Sequence, residues 1–260
     1  MTMQPVEHTG PGQRIMVVVA HPDDAEFMCS GSVAKWAREG KELIYVLATS
    51  GDKGTSDPGV LPEDLAKIRE QEQRQVCDGL GVKHVEFLRY PDGMLVNDLD
   101  LRRNIVRLIR KYKPSAVITE NPTVRWMGNY INHPDHRAVG DATMDAVFPS
   151  ARDVHMFPEL LAEEGLEAHT VDHLYLGMRG NEANVYIDIS ETMDAKIAAL
   201  KGHKSQVRNP TPEFDENIRR MVRFTAAESD LEYAESFRYF FLGPRRVPSE
   251  IPIRTGVVVE

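Results

Sequence analysis

The chain has 260 residues, 42% of them hydrophobic and 27% charged, which is typical of a globular protein with a sizeable core. Its formal net charge of −9, with no basic block, argues against a nucleic-acid or anionic-membrane partner. The two cysteines form no CxxC, which fits a reducing cytoplasm and excludes a zinc site built from cysteines.

No apolar run approaches the ~18 residues of a membrane span. The polar start of the chain, with its Pro and Gly residues, is typical of neither a signal peptide nor a transit peptide. We therefore predict a soluble cytoplasmic protein with a single domain over 1–260. Within it we expect a flexible segment over 1–13 and a peripheral tail over 245–260.

Short apolar runs alternate with helical patterns along the first half of the chain. Strands are predicted over 14–20, 42–49, 85–88, 115–120, 173–177 and 185–189. Helices are predicted over 32–39, from Pro62 to a stop near Gly79 and Gly81, and over 99–112, 191–203 and 212–228. Near-continuous apolar strands that alternate with helices predict an α/β fold, a mostly parallel sheet covered by helices on both faces.

An imidazole and two carboxylates directly follow the first strand, as His21, Asp23 and Asp24. Ligands bind outside the carboxyl ends of the strands in such sheets. His21 and Asp24, three residues apart in a tight turn, can point at one ion, and imidazole with carboxylate suits zinc. Asp23 must point elsewhere than its neighbour and is free to act as a general base. The alternative is that both aspartates cap the following helix.

A second cluster with the same residue types follows the strand 115–120, as His133, Asp135 and His136. Pro134 suits the first turn of a helix and Asp135 suits its N-terminus. A helix N-terminus also disfavours a charged imidazolium, which keeps a ligating histidine neutral. The two clusters can meet across one sheet edge and form a three-ligand zinc site with a position left for water. The alternative is a pair of capping histidines.

Two motifs, "AHPDDAE" and the later "HPDHRAVG", resemble the LmbE-like, GlcNAc-PI de-N-acetylase (PIG-L) family of zinc-dependent deacetylases. The resemblance extends from residue 15 to about 206 and includes "TSGDKGT", "REQEQRQVCDGLG", "FLRYPDGML" and "KIAALKGHKSQ". It implies a Rossmann-like core and hydrolysis of an N-acetyl group from a small-molecule amino sugar or sugar conjugate. It also implies a homo-oligomer.

The resemblance assigns the zinc ligands to His21, Asp24 and His136. It makes Asp23 the general base and His133 the residue that stabilises the oxyanion or acts as an acid, with Asp135 orienting His133. The proton for the departing amine comes from Asp23 or His133, and the sequence leaves this choice open. Ferrous iron is an alternative to zinc, because the same ligands accept both.

Four further residues bear on the substrate. Arg69 and Asp92 match positions that hold sugar hydroxyls in the family. Their alternatives are a helix-surface ion pair for Arg69 and a turn aspartate for Asp92. Met28 stands where many relatives have a small residue and is expected to narrow the pocket, and Trp126 could stack on a sugar ring or pack in its loop. The segment 203–206 also matches the family, but its residue types indicate no chemical role other than support of the site residues.

Two other classes of function use similar residues. A metal-dependent phosphoesterase would require a second bridged metal, whereas the matched ligands supply one three-ligand site. A non-catalytic zinc- or sugar-binding module would need neither Asp23 nor His133. The sequence therefore favours a metal-dependent N-deacetylase.

Overall fold

The computed structural model of the protein describes residues 13–177 and 182–243. The tail predicted over 245–260 and all but the last residue of the segment 1–13 lie outside the described residues. The strands are β1 (Arg14–Val19), β2 (Glu42–Thr49), β3 (His84–Tyr90), β4 (Ala116–Glu120), β5 (Trp126–Met127), β6 (Tyr130–Ile131), β7 (His173–Gly177), β8 (Val185–Asp188) and β9 (Ala234–Phe241). The helices are α1 (Asp24–Arg38), α2 (Pro62–Leu80), α3 (Leu99–Tyr112), α4 (Pro134–Asp145), α5 (Glu159–Glu164), α6 (Met193–Gly202) and α7 (Pro212–Ala226).

Seven of the strands form one sheet in the order β3-β2-β1-β4-β7-β9-β8. The pairs from β3 to β7 are parallel, and β9 runs antiparallel to both β7 and β8. The predicted α/β class with a mostly parallel sheet is confirmed. Strand β9 was not predicted, because polar residues interrupt its apolar run. Two of these, Glu235 and Ser236, are nevertheless buried.

Buried apolar side chains form one layer on each face of the sheet. In β1, Val17 and Val19 belong to the layer that packs against α1, α2 and α6, whereas Met16 and Val18 belong to the layer under α3 and α4. This alternation follows from the two-residue period of a strand. Among the described residues, no helix has both the length and the apolar character needed to cross a membrane.

Helix α1 begins at Asp24, eight residues before the predicted start at Ser32. The prediction was wrong because Ser30 and Gly31 favour helices weakly. The helix nevertheless includes Gly31, because it packs here against Ile189. The contact is so close that a Cβ at position 31 would lie 2.6 Å from Ile189 Cδ1. The glycine therefore permits close contact between α1 and the chain after β8. The early start also makes Asp23 the N-cap of α1.

Candidate active site

The two His/Asp clusters meet at the carboxyl edge of the sheet, next to the adjacent strands β1 and β4. Asp24 lies between two imidazoles: its Oδ2 is 3.1 Å from His21 Nδ1 and its Oδ1 is 3.2 Å from His136 Nε2. The rings of His21 and His136 are 5.3 Å apart, centroid to centroid. The structure therefore brings together the three residues that the sequence proposed as metal ligands.

Metal-binding geometry is present in three overlapping groups, each with one ligand atom per residue and all its atoms within 4.8 Å of one another. The groups are His21 with His133 and His136, His21 with Asp92 and Asp135, and Asp24 with Glu120 and His136. The set predicted from the sequence, His21, Asp24 and His136, is not itself one of the three groups found among the described residues, but each of its members belongs to at least one of them. Imidazole nitrogens and carboxylate oxygens are ligands that zinc and ferrous iron both accept, so the residues fit such an ion.

The electrostatics of this cluster favour positive charge. Burial lowers the pKa of His21, but the charge of Asp24 and hydrogen bonds to surrounding carboxylates outweigh it and raise the pKa to about 12. Burial likewise lowers the pKa of His136, and Asp24 and Glu120 together raise it to about 11. A divalent cation supplies the same positive charge when both imidazoles bind it in their neutral form.

Asp23 turns away from the ligand cluster. Its backbone has φ 90° and ψ −22°, a left-handed conformation that costs a non-glycine residue about 1–3 kcal/mol. Its Oδ2 lies 3.4 Å from an Arg69 guanidinium nitrogen. Burial and the neighbouring Asp24 raise the pKa of Asp23 to about 7, against the lowering effect of Arg69. A cation held by Asp24 would lower this pKa again, and a carboxylate here can accept a proton near neutral pH.

His133 is the N-cap of α4, and its Nδ1 accepts a hydrogen bond from the main-chain N–H of Asp135 at 3.2 Å. The neutral ring therefore carries its proton on Nε2. Burial, together with the nearby His21, lowers the pKa of His133. The Asp135 carboxylate accepts from the N–H groups of Gly93 and Leu95 at 2.7 and 3.1 Å. Asp135 thus contacts His133 through its main chain.

Arg69 and Asp92, the predicted sugar-binding residues, both lie beside the cluster. Arg69 is 4% exposed and donates to the carbonyl oxygens of Gly51 and Pro22 at 3.1 and 2.6 Å. Its burial excludes the alternative of a helix-surface ion pair. Asp92 Oδ1 lies 3.1 Å from His21 Nε2.

Glu120, the last residue of β4, was missed by the sequence analysis. Its Oε1 accepts from the N–H of Ala20 at 3.2 Å, and its Oε2 lies 3.0 Å from His136 Nδ1. Burial and the nearby Asp24 raise the pKa of Glu120 to about 7, although its hydrogen bond to His136 opposes the shift. The signal was available, because Glu120 ends an apolar strand at the same sheet edge as His21.

A cavity of about 180 Å³ borders Asp24 and His136. Its apolar wall consists of Phe27, Met28, Val124, Met127, Tyr130, Met221 and Val222. Met28 also fills the space beside Gly177, where a Cβ would collide with its sulfur. Trp126 is 69% exposed and does not line this cavity. Strands β5 and β6 pair antiparallel, and Met127 and Tyr130, which face each other in this pair, do line it.

Comparison with known proteins gives the family of the chain. Residues 16–147 match the family described as PIG-L: GlcNAc-PI de-N-acetylase. The chain belongs to this family. It is 29% identical over 228 residues to diacetylchitobiose deacetylase from Thermococcus kodakarensis, with 87% of this chain and 83% of that protein covered. It is 26% identical over 225 residues to a probable N-acetyl-alpha-D-glucosaminyl L-malate deacetylase 2 from Bacillus anthracis, with 83% and 93% covered.

Among solved structures, N,N'-diacetylchitobiose deacetylase from Pyrococcus horikoshii, complexed with its inhibitor MPG, matches with a TM-score of 0.79 and 27% identity. The match covers 88% of this chain and 84% of that one. GalB, a 4-carboxy-2-hydroxymuconate hydratase from Pseudomonas putida KT2440, shares the fold with a TM-score of 0.70 at 18% identity. The predicted family, its LmbE-like fold and the enzyme class, an N-deacetylase, are confirmed. The hydratase shows that the fold alone does not determine the reaction.

Proposed function

We propose that the protein is a zinc-dependent hydrolase that removes the N-acetyl group from an amino sugar or sugar conjugate. The observation that carries the proposal is the placement of the two consecutive carboxylates. Asp24 contacts both His21 and His136, while Asp23 faces Arg69 and takes no part in the contacts between those ligands. Metal-assisted hydrolysis with a general base needs one carboxylate that can bind the ion and another that is free to accept a proton.

His21, Asp24 and His136 would hold the ion, and ferrous iron is the alternative to zinc for the same donor set. When bound, zinc lowers the pKa of a water ligand to about 7 and polarises a substrate carbonyl. Glu120 and Asn132 each place an oxygen 3.0 Å from His136 Nδ1. These contacts orient the ring so that its Nε2 faces the Asp24 carboxylate.

Asp23 accepts the proton of the attacking water as the water adds to the acetyl carbonyl. His133 donates a hydrogen bond from Nε2 to the developing oxyanion, a contribution that is worth about 3–4 kcal/mol per donor in other enzymes. The departing amine receives a proton from Asp23 or His133. The products are acetate and a free amino sugar.

Arg69 and Asp92 are proposed to contact the sugar hydroxyls. Both lie towards β2 and β3, on one side of β1, whereas the cavity lies towards β4, β7 and β9 on the other side. A substrate that spans β1 would present polar groups to the first side and a less polar substituent to the second. We also propose a homo-oligomer, which the family resemblance implies, and a cytoplasmic location, which the cysteine usage favours.

The test is to incubate the zinc-loaded protein with a panel of N-acetylated amino sugars and to measure released primary amine. Asp23→Asn and a chelated sample are the controls. Release that requires both the metal and Asp23 is expected. A phosphomonoester panel is assayed in parallel, and phosphate release without amine release would replace the deacetylase by a phosphoesterase.

A further inference from the structure

A buried chain of hydrogen bonds extends from the main chain of Asp23 into the interior. The Asp23 N–H donates to Gln73 Oε1 at 3.2 Å, and Gln73 Nε2 donates to Glu26 Oε1 at 3.1 Å. Glu26 Oε2 is in turn 2.9 Å from His203 Nε2. Gln73, Glu26 and His203 all have 0% exposure.

The direction of each hydrogen bond in this chain is determined by chemistry. A main-chain N–H can only donate and a carboxylate can only accept, so the Gln73 amide has one orientation that satisfies both neighbours. His203 then donates from Nε2 to Glu26. Its Nδ1 has no hydrogen-bond partner in the part of the chain that the structure describes. Buried polar side chains are costly unless their hydrogen bonds are satisfied, and the contacts of this network satisfy Gln73, Glu26 and the Nε2 of His203.

The segment that they hold is strained. Asp23 has a left-handed backbone although it is not a glycine, and its N–H group contacts Gln73. The carbonyl oxygen of Asp23 accepts from the N–H groups of Glu26 and Phe27 at 3.0 and 3.1 Å. The turn that separates the Asp23 and Asp24 carboxylates is therefore fixed from both sides of its peptide backbone.

We propose that Gln73, Glu26 and His203 are positioning residues that hold Asp23 in the geometry of a general base. The proposal rests on the proposed function, since it takes Asp23 to be that base. It gives the segment 203–206 a role in positioning Asp23, because His203 is the last member of this chain of hydrogen bonds. None of the three side chains is proposed to touch the substrate.

A second contact between α2 and the segment 203–206 offers a matched control. Glu72, on α2, accepts from the N–H and the hydroxyl of Ser205 at 2.9 and 2.7 Å. This contact joins α2 to the segment 203–206, as His203 and Glu26 do through Gln73, but it does not lead to Asp23. Ser205→Ala therefore loosens the same contact between elements without disturbing the base.

The experiment measures kcat, KM, bound metal and thermal unfolding for wild type, Gln73→Leu, Gln73→Asn and Ser205→Ala. Gln73→Asn keeps an amide but is one methylene too short to reach Asp23, so it serves if Gln73→Leu does not fold. Both Gln73 variants are expected to lower kcat by about 10–100-fold, with KM and metal content unchanged. Ser205→Ala is expected to leave kcat unchanged. Glu26→Gln can still accept from Gln73, and it can donate to His203 once that ring carries its proton on Nδ1, so it should keep most of the activity.

Unchanged kcat in a folded Gln73 variant, or an equal fall in Ser205→Ala, would overturn the positioning role. Asp23→Asn is measured alongside to separate the two proposals. If Asp23→Asn is inactive while the Gln73 variants are fully active, only the positioning role fails. If Asp23→Asn is as active as wild type, the assignment of the base fails, and the positioning role fails with it.

Discussion

The carboxylates of the consecutive residues Asp23 and Asp24 face different partners. Asp24 lies between two imidazoles, at 3.1 and 3.2 Å, whereas Asp23 Oδ2 lies 3.4 Å from Arg69. The left-handed backbone at Asp23 accompanies this divergence. The same short turn therefore offers one metal ligand and one free base. Substitution of the base should lower kcat alone, whereas substitution of a ligand should also lower the metal content.

Asp23→Asn is expected to retain bound metal and to lower kcat by about 10²–10⁴-fold, because the amide cannot accept the proton from water. His136→Ala should lose both metal and turnover, since it removes a proposed ligand. Metal content per protomer and kcat, measured on the same preparations, check both outcomes. A fully active Asp23→Asn would contradict the base assignment.

Zinc should stabilise the folded protein, because it neutralises the carboxylates that surround His21 and His136. At 100 times its Kd, a ligand that binds only the folded state adds about 2.7 kcal/mol to the free energy of unfolding. A chain of this size gains about 2–4 °C per kcal/mol, so Tm should rise by about 5–10 °C. Scanning calorimetry with zinc and with a chelator measures the shift. An equal shift in His136→Ala would place the binding site elsewhere.

Glu120→Gln should weaken metal binding by about 10–100-fold, because it removes the carboxylate beside His136 Nδ1 and one negative charge from the cluster. Competition with a chromophoric chelator gives the affinity. Glu86→Gln is the matched control, since Glu86 contacts Lys111 and Tyr112 on the surface, away from the cluster. Equal affinities in wild type and Glu120→Gln would exclude a role for Glu120 in metal binding.

Met28→Ala should widen the cavity beside Asp24, because the Met28 side chain is part of its wall. N-butyryl glucosamine should then gain at least about tenfold in kcat/KM relative to N-acetyl glucosamine. The exposed Phe224, on α7 and outside the cavity lining, supplies the control Phe224→Ala. A ratio that does not change in Met28→Ala would show that Met28 does not limit substrate size.

Lys196→Met should lower the free energy of unfolding by about 3–5 kcal/mol, since it leaves the carboxylate of Glu235 buried without its cation at 2.7 Å. The double variant Lys196→Met/Glu235→Gln should recover part of this loss, because glutamine carries no charge and still accepts from Ser32. Urea unfolding measures each value. Lys67→Met, which breaks an exposed pair with Asp64, should leave stability unchanged. A loss in the double variant as large as the sum of the single losses would show that the two residues are not coupled.

Local patterns were enough to predict much of this protein. The apolar runs predicted β1, β2, β4 and β7 to within one residue at either end. Because parallel strands end at a common sheet edge, the two His/Asp clusters could be expected to meet. The residue types then indicated a metal and a general base.

Other features depended on partners distant in sequence. Strand β9 carries Glu235, whose burial is possible only because Lys196 and the main chain of α1 surround its carboxylate. Glu120 joins the site only because β4 lies beside β1. The buried chain of hydrogen bonds from Asp23 to His203 requires α1, α2 and the segment 203–206 to pack together.

The sequence by itself therefore determined the parallel strands, the sheet class and the chemistry of the two motifs, because these follow from short-range periodicity and residue type. Only the tertiary structure decided which polar side chains are buried and what they contact. A buried polar group is stable only with a hydrogen-bond partner, and that partner can lie anywhere along the chain.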